Sequence, residues 1–153
     1  MKLIQREECI VRGLAVRTSN RNETMPQQAK IAGLWQDFFT ACGRSGVEPS
    51  LVYGVYSNYN SDLHGEFDVT AGLPADFSHT SMREVTIPTG PYLCFTKSGP
   101  CPATVIALWQ EIWEFFQQED APARTYRCDF EEYSGREAVA IFIGVDIDEQ
   151  EEI

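Results

Sequence analysis

The chain reads as an α+β domain built from a tandem pseudo-twofold repeat of β-α-β-β units. They form one antiparallel sheet with two helices on one face and a groove on the other. Three observations predict this. Two segments with helical apolar spacing share the pattern L-W-Q-[D/E]: Leu34-Trp35-Gln36-Asp37 and Leu108-Trp109-Gln110-Glu111. Each is preceded by one strand-like run and followed by two, as a repeated unit requires. Finally, 153 residues of which 43% are hydrophobic suit one domain with a full core.

The first unit opens with a strand over Glu8 to Arg17. Its helix places Ile31, Leu34, Trp35, Phe38, Phe39 and Cys42 on one stripe at i, i+3, i+4 spacing, wide enough to cover a sheet. Pro26 sits near its start, and Gly43 and Gly46 near its stop. Strands follow over Leu51 to Ser57 and Glu66 to Gly72, joined by the polar stretch Asn58 to Gly65. The second unit opens with Glu84 to Lys97, which must break at Pro88-Thr89-Gly90-Pro91 because a central strand does not tolerate those prolines. Its helix follows Pro102, with Val105, Leu108, Trp109, Ile112, Trp113 and Phe116 on one stripe. Tyr126 to Tyr133 and Ala138 to Val145 then pair through the turn Ser134-Gly135-Arg136-Glu137. The expected domain covers 1–147, with repeats at about 1–75 and 80–147. An acidic, frayed tail is expected over 148–153.

Composition narrows the function classes. Twenty-three acids against twelve bases leave a formal net charge of −11. That field repels phosphate backbones, so direct nucleic-acid binding loses its main driving force. No apolar run reaches membrane-spanning length, and Met1-Lys2-Leu3-Ile4-Gln5-Arg6-Glu7 meets charge too early for a secretory signal. Cys9, Cys42, Cys94, Cys101 and Cys128 are odd in number and form no C-x-x-C pair, which fits reduced thiols in a cytoplasmic protein. His64 and His79 lack ligand spacing, so no metal and no cofactor is expected.

Strand alternation supplies the candidate site. In Tyr126 to Tyr133, neighbouring side chains face opposite sides. Tyr126, Cys128 and Phe130 suit the helix-covered core, which leaves Asp129, Glu131 and Tyr133 facing the groove. A bulge or one-residue slip would substitute Glu132 for Glu131. In the matching strand, Tyr56 stands opposite and Gly54 leaves space beside it. A carboxylate between tyrosines suits a lipophilic cation: the rings offer apolar area and cation–π attraction, and the carboxylate the counter-charge. The Trp35 and Trp109 stripes read first as core, while Trp113 and Phe116, near a helix end, can edge into the groove.

Several segments occur in the order of a known family. They are Leu34 to Phe38, Tyr53-Gly54-Val55-Tyr56, Gly65-Glu66-Phe67-Asp68, Ile87 to Tyr92, Trp109 to Trp113, Asp129-Phe130-Glu131-Glu132-Tyr133 and Ala140 to Val145. In these the chain resembles the GyrI-like small-molecule-binding family, which includes effector-binding domains of AraC- and MerR-type multidrug regulators. The resemblance implies a groove at the pseudo-twofold and a buried glutamate among aromatics that recognises cationic amphipathic molecules. Carried onto this sequence, the glutamate is Glu131 and the aromatic wall Tyr56, Tyr92 and Tyr133, with Trp109, Trp113 and Phe116 as further ligand-binding candidates beside Gly54. No helix-turn-helix precedes Leu3, so a stand-alone binding module is expected, without catalytic residues. The expected partner is a cationic small molecule, with a separate regulator or a basic protein as further candidates. The resemblance admits two alternatives: hydrolysis of reactive cyclopropane-bearing compounds with Glu131 as general base, and a gyrase-inhibitor-like protein-interaction module.

Overall fold

The computed structural model describes residues 1–44, 46, 50–74, 82–135 and 137–147. The acidic tail over 148–153, the junction expected between the units at 75–80 with His79, and Arg136 of the last turn lie outside the described residues. The elements run β1 (Lys2–Arg6), β2 (Cys9–Ser19), α1 (Asn20–Glu23), α2 (Ile31–Arg44), β3 (Leu51–Ser57), β4 (Glu66–Leu73), β5 (Arg83–Ile87), β6 (Gly90–Ser98), α3 (Ala103–Phe116), β7 (Ala123–Ser134) and β8 (Ala138–Asp146). All eight strands join one sheet in the order β1-β6-β8-β7-β3-β4-β2-β5. Every ladder is antiparallel. Without the edge strands β1 and β5, the order β6-β8-β7 mirrors β2-β4-β3 across the central β7–β3 ladder.

The break expected at Pro88 to Pro91 is present, between β5 and β6. Two elements have no counterpart in the expectation. Strand β1 pairs with β6 despite its charged ends, and the single-turn α1 starts on a Ser19 side-chain cap. Pro26 lies in the turn after α1 rather than at the start of α2. The first amides of α2 are held by Glu23, whose carboxylate accepts from the N–H of Lys30 at 2.9 Å and of Ile31 at 3.2 Å. A carboxylate there satisfies two orphan donors and complements the helix dipole.

Helix α2 packs over β2 and β4, and α3 over β6 and β8. Leu34, Phe38, Ala41 and Cys42 close one core against Phe67, Val69, Ala71 and Leu73. Leu108 and Ile112 close another against Ile141, Ile143 and Val145. The central strands β3 and β7 therefore lie uncovered between the helices. A third cluster fills the opposite face, where Val11, Ile87, Tyr92, Phe130 and Phe142 meet with Ile4 packed against them. Residues of both edge strands reach this cluster, so the sheet curls around it.

This arrangement reverses one expectation. The groove opens on the helix-bearing face, not on the face away from the helices. Each helix has the width to cover about two strands, and six strands separate the outer edges of the helix-packed pairs. The middle pair is left bare, while the curl of the sheet closes the far side.

Candidate functional site

The β3–β7 ladder forms the floor of the cavity. Its register pairs Val52 with Tyr133, Gly54 with Glu131 and Tyr56 with Asp129, so alternation puts all six on the helix-bearing face. Helices α2 and α3 supply the walls: Trp35 and Phe39 from one side, Ile106, Trp109 and Trp113 from the other. The cavity measures ≈ 1380 Å³. That exceeds the range of about 300–1,000 Å³ usual for a drug-sized ligand. Its rim exposes Phe39, Ile106 and Trp113, three of the large apolar side chains most open to solvent.

Glu131 sits at the centre, 4% exposed. Trp109 Nε1–H donates to Oε2 at 2.7 Å, and Tyr56 Oη–H to the same oxygen at 3.0 Å. Tyr133 Oη–H donates to Oε1 at 2.8 Å. No Lys, Arg or His among the described residues forms an ion pair with it. Burial pushes the carboxyl pKa above its ordinary value, while the three donors pull it back down. Burial and the adjacent carboxylate also raise the Tyr56 and Tyr133 phenols far above theirs, so both remain donors. The result is a carboxyl group held by aromatic donors rather than by a counter-ion among the described residues.

Gly54 makes this possible. A Cβ there would lie 2.7 Å from Glu131 Oε1 and 2.9 Å from Trp35 Cζ2, well short of van der Waals contact with either. The rings interlock around the carboxylate, with Trp35 edge-on to Tyr133 at 5.6 Å, Tyr56 edge-on to Trp109 at 5.4 Å, and Trp109 beside Trp113 at 6.1 Å.

Of the residues singled out in the sequence, Glu131, Tyr133, Tyr56, Trp109 and Trp113 meet in the cavity, with Gly54 beneath them. Tyr92 does not join them. It lies on the opposite face against Phe130, and its hydroxyl donates to the Pro88 carbonyl at 2.7 Å. Phe116 packs with Phe95 in the α3 core rather than at the cavity wall. Glu132, the alternative to Glu131, also faces away and accepts from Arg6 at 3.2 Å and Tyr53 at 3.0 Å. Burial, and then that carboxylate beside it, push the Tyr53 phenol up to about 12.

Two further placements differ from the alternation. Trp35 is a cavity wall more than a core residue. Tyr126 lines the cavity instead of following Cys128 and Phe130, because the β7–β8 register shifts between Arg124 and Asp129. Arg124 pairs with Val145 and Asp129 with Ile143, so the four residues 125–128 stand opposite Gly144 alone. The irregularity inverts which side each upstream residue faces. It also frees the Gly144 amide, which donates to Asp129 Oδ1 at 2.9 Å.

Comparison with known proteins identifies the fold as that of an effector-binding domain. The chain belongs to the Cass2 family, integron-associated effector binding proteins, whose family model matches residues 2–147. An integron cassette protein from Vibrio cholerae is 34% identical, with a TM-score of 0.87 over 95% of each chain. SAV2435, solved bound to tetraphenylphosphonium, is 19% identical, with a TM-score of 0.72 over 95% of this chain and 93% of that one. A Staphylococcus aureus protein described as a putative transcription regulation protein is 19% identical, with a TM-score of 0.69 over 95% of this chain and 97% of that one. The latter two share the fold. No curated protein matches the sequence.

Proposed function

We propose that the cavity binds amphipathic organic cations, with Glu131 as the counter-charge and Trp35, Tyr56, Trp109, Trp113 and Tyr133 as the wall. The observation that carries this reading is a buried carboxylate without a cationic partner among the described residues. A charge in that position is costly unless something compensates it. Three hydrogen bonds stabilise the anion, yet burial still leaves its pKa raised. A bound cation completes the compensation.

The donor arrangement also bears on the kind of cation. Three of the carboxylate's roughly four acceptor sites are already taken by rings, so a primary ammonium would pair at most one of its three N–H groups there. A quaternary or charge-delocalised cation has no donors to satisfy and loses little hydration on entry. It offers apolar area to the rings and charge to the cage. The affinity of a structural neighbour for tetraphenylphosphonium makes that ion the natural probe.

The test is a titration followed by tryptophan fluorescence with tetraphenylphosphonium beside neutral triphenylmethane, which keeps three of the rings without the charge and without an oxygen acceptor. The cation is expected to bind at least tenfold more tightly. Equal affinities would reduce the cavity to a hydrophobic site and sink the role of the carboxylate.

A further inference from the structure

One rung beyond Glu131 lies a second polar cluster that the cation reading does not use. Asp129 is wholly buried, and its Oδ2 accepts from Tyr59 Oη–H at 2.6 Å and from Arg124 Nη2 at 2.7 Å. The Arg124 side chain is 8% exposed yet belongs to the cavity lining. Its buried Nε–H has no hydrogen-bond partner among the described residues, although Nη2 and both Asp129 oxygens do. A buried donor left unpaired costs about 1–3 kcal/mol, so it calls for an explanation.

Tyr126 stands over this donor. Its ring lies 4.5 Å from the guanidinium carbon and edge-on to Tyr59 at 5.9 Å. Its backbone has φ +52°, a left-handed conformation uncommon for an aromatic residue within a strand, at the irregular stretch of β7. Such outliers persist where the surrounding structure imposes them, and they cluster at ligand sites. The bulge thus brings a charged donor to the cavity and covers it with a ring from the same strand.

We propose that Arg124, Asp129, Tyr59 and Tyr126 form a second recognition subsite, in which Arg124 Nε–H donates to a neutral oxygen acceptor on the ligand. This rests on the cation reading and narrows it to amphipathic cations carrying a carbonyl or similar oxygen. The acceptor is neutral rather than anionic for two reasons. The Arg124 charge is already matched by Asp129, and Glu131 and Glu23 both line the same cavity. Successive same-face residues of a strand stand about 7 Å apart, which sets the approximate span from cationic centre to acceptor. The Tyr126 ring swings aside to admit the oxygen. The size of the cavity, beyond what one compact cation fills, leaves room for such a ligand.

The experiment compares two nearly isosteric ions, (4-acetylphenyl)triphenylphosphonium and (4-isopropylphenyl)triphenylphosphonium, by calorimetry on the full chain. The acetyl ion is expected to bind about tenfold more tightly, the discrimination expected when an otherwise unpaired buried donor is satisfied. That preference is expected to vanish in the Arg124→Met, Asp129→Asn double variant, which removes every guanidinium donor and its carboxylate partner together, so that no charge is stranded. In parallel, the Arg124 Nε–H proton of the unaltered protein, in ¹⁵N-resolved spectra, is expected to move downfield with the acetyl ion relative to its position with the isopropyl ion. This second readout holds even if the double variant does not fold. Equal affinities for the two ions, or an unmoved Nε–H resonance, overturn the subsite and leave the cation reading intact. Binding of neither ion overturns both.

Discussion

Replacing Glu131 by Gln separates charge from shape at the centre of the cavity. The amide can keep the existing network: its oxygen takes the place of Oε2, accepting from Trp109 and Tyr56, and its NH₂ takes the place of Oε1. Trp109 can only donate, which fixes that orientation, while the Tyr133 hydroxyl can turn to accept. The fold is therefore expected to survive. A phenyl shell holds the charge of tetraphenylphosphonium roughly 6 Å from the carboxylate, and at an effective dielectric constant of about 20 that attraction is about 3 kcal/mol. Its loss corresponds to an affinity reduced on the order of a hundredfold.

The stability of the empty protein moves the other way. The folded pKa of Glu131 lies above that of an unfolded carboxyl, so the folded state binds more protons between the two values. Stability therefore falls as pH rises from the unfolded pKa through the folded one, and the penalty is complete above it. Gln removes this penalty, so at neutral pH Glu131→Gln is expected to melt at the same temperature or higher. Affinity for the permanently charged probe follows the ionised fraction and rises with pH through the same window. In the variant this pH dependence disappears. Thermal melts and calorimetric titrations at several pH values give both quantities. A folded Gln variant that binds tetraphenylphosphonium within threefold of the parent, with the same pH profile, would refute the reasoning.

Gly54→Ala inserts a Cβ into Glu131 Oε1 and Trp35, and over-packing of this kind costs about 1–3 kcal/mol. A melting temperature lower by about 2–10 °C is expected, with weaker cation binding; an unchanged melt would mean the cage has room to spare. Trp109→Phe keeps a ring but removes the donor that most lowers the Glu131 pKa, so the pH midpoint for cation binding is expected to move upward. A midpoint that stays or falls in the titration series contradicts that role. Asp129→Asn strands the Arg124 charge in the interior, at a cost of about 3–5 kcal/mol. Chemical denaturation should show that loss, and one below about 1 kcal/mol would mean that Arg124 finds water or another partner.

Much of this site was legible in the sequence because regular strands obey a period of two. Leu51–Ser57 stands as β3 with the expected bounds, and Glu131, Tyr133 and Tyr56 share a face as alternation requires. Periodicity says which residues share a face but not which face the helices cover, and that was the error over the groove. It could not place Tyr92 either, since either face of β6 would accept a tyrosine. The Arg124–Asp129 pair was hidden for a sharper reason. Five residues apart, the two would face opposite sides of a regular strand, and only the bulge brings them together. No Gly or Pro marks that bulge; Gly144, which allows it, lies on the neighbouring strand, where a Cβ would meet the Cys128 carbonyl at 2.8 Å.

The same strand explains how a sheet can leave its middle open and remain folded. Along β7, Asp129, Glu131 and Tyr133 face the cavity, while Cys128 and Phe130 face the other side. There Phe130 stacks on Phe142 at 4.6 Å, and the Arg6 guanidinium lies over both rings on its way to Glu132. The face that lacks a helix is thus the one with a continuous apolar core, closed by the curl of the sheet. Burial there supplies the stabilisation that the cavity face gives up when it holds polar atoms and open space. Adjacent glutamates illustrate the division. Glu132 is paired with an arginine and serves the core, whereas Glu131 has only ring donors among the described residues, the arrangement on which the proposed cation binding rests. On this view a substitution that disturbs Phe130 or Phe142 should act on stability and reach the cavity only through the backbone they share.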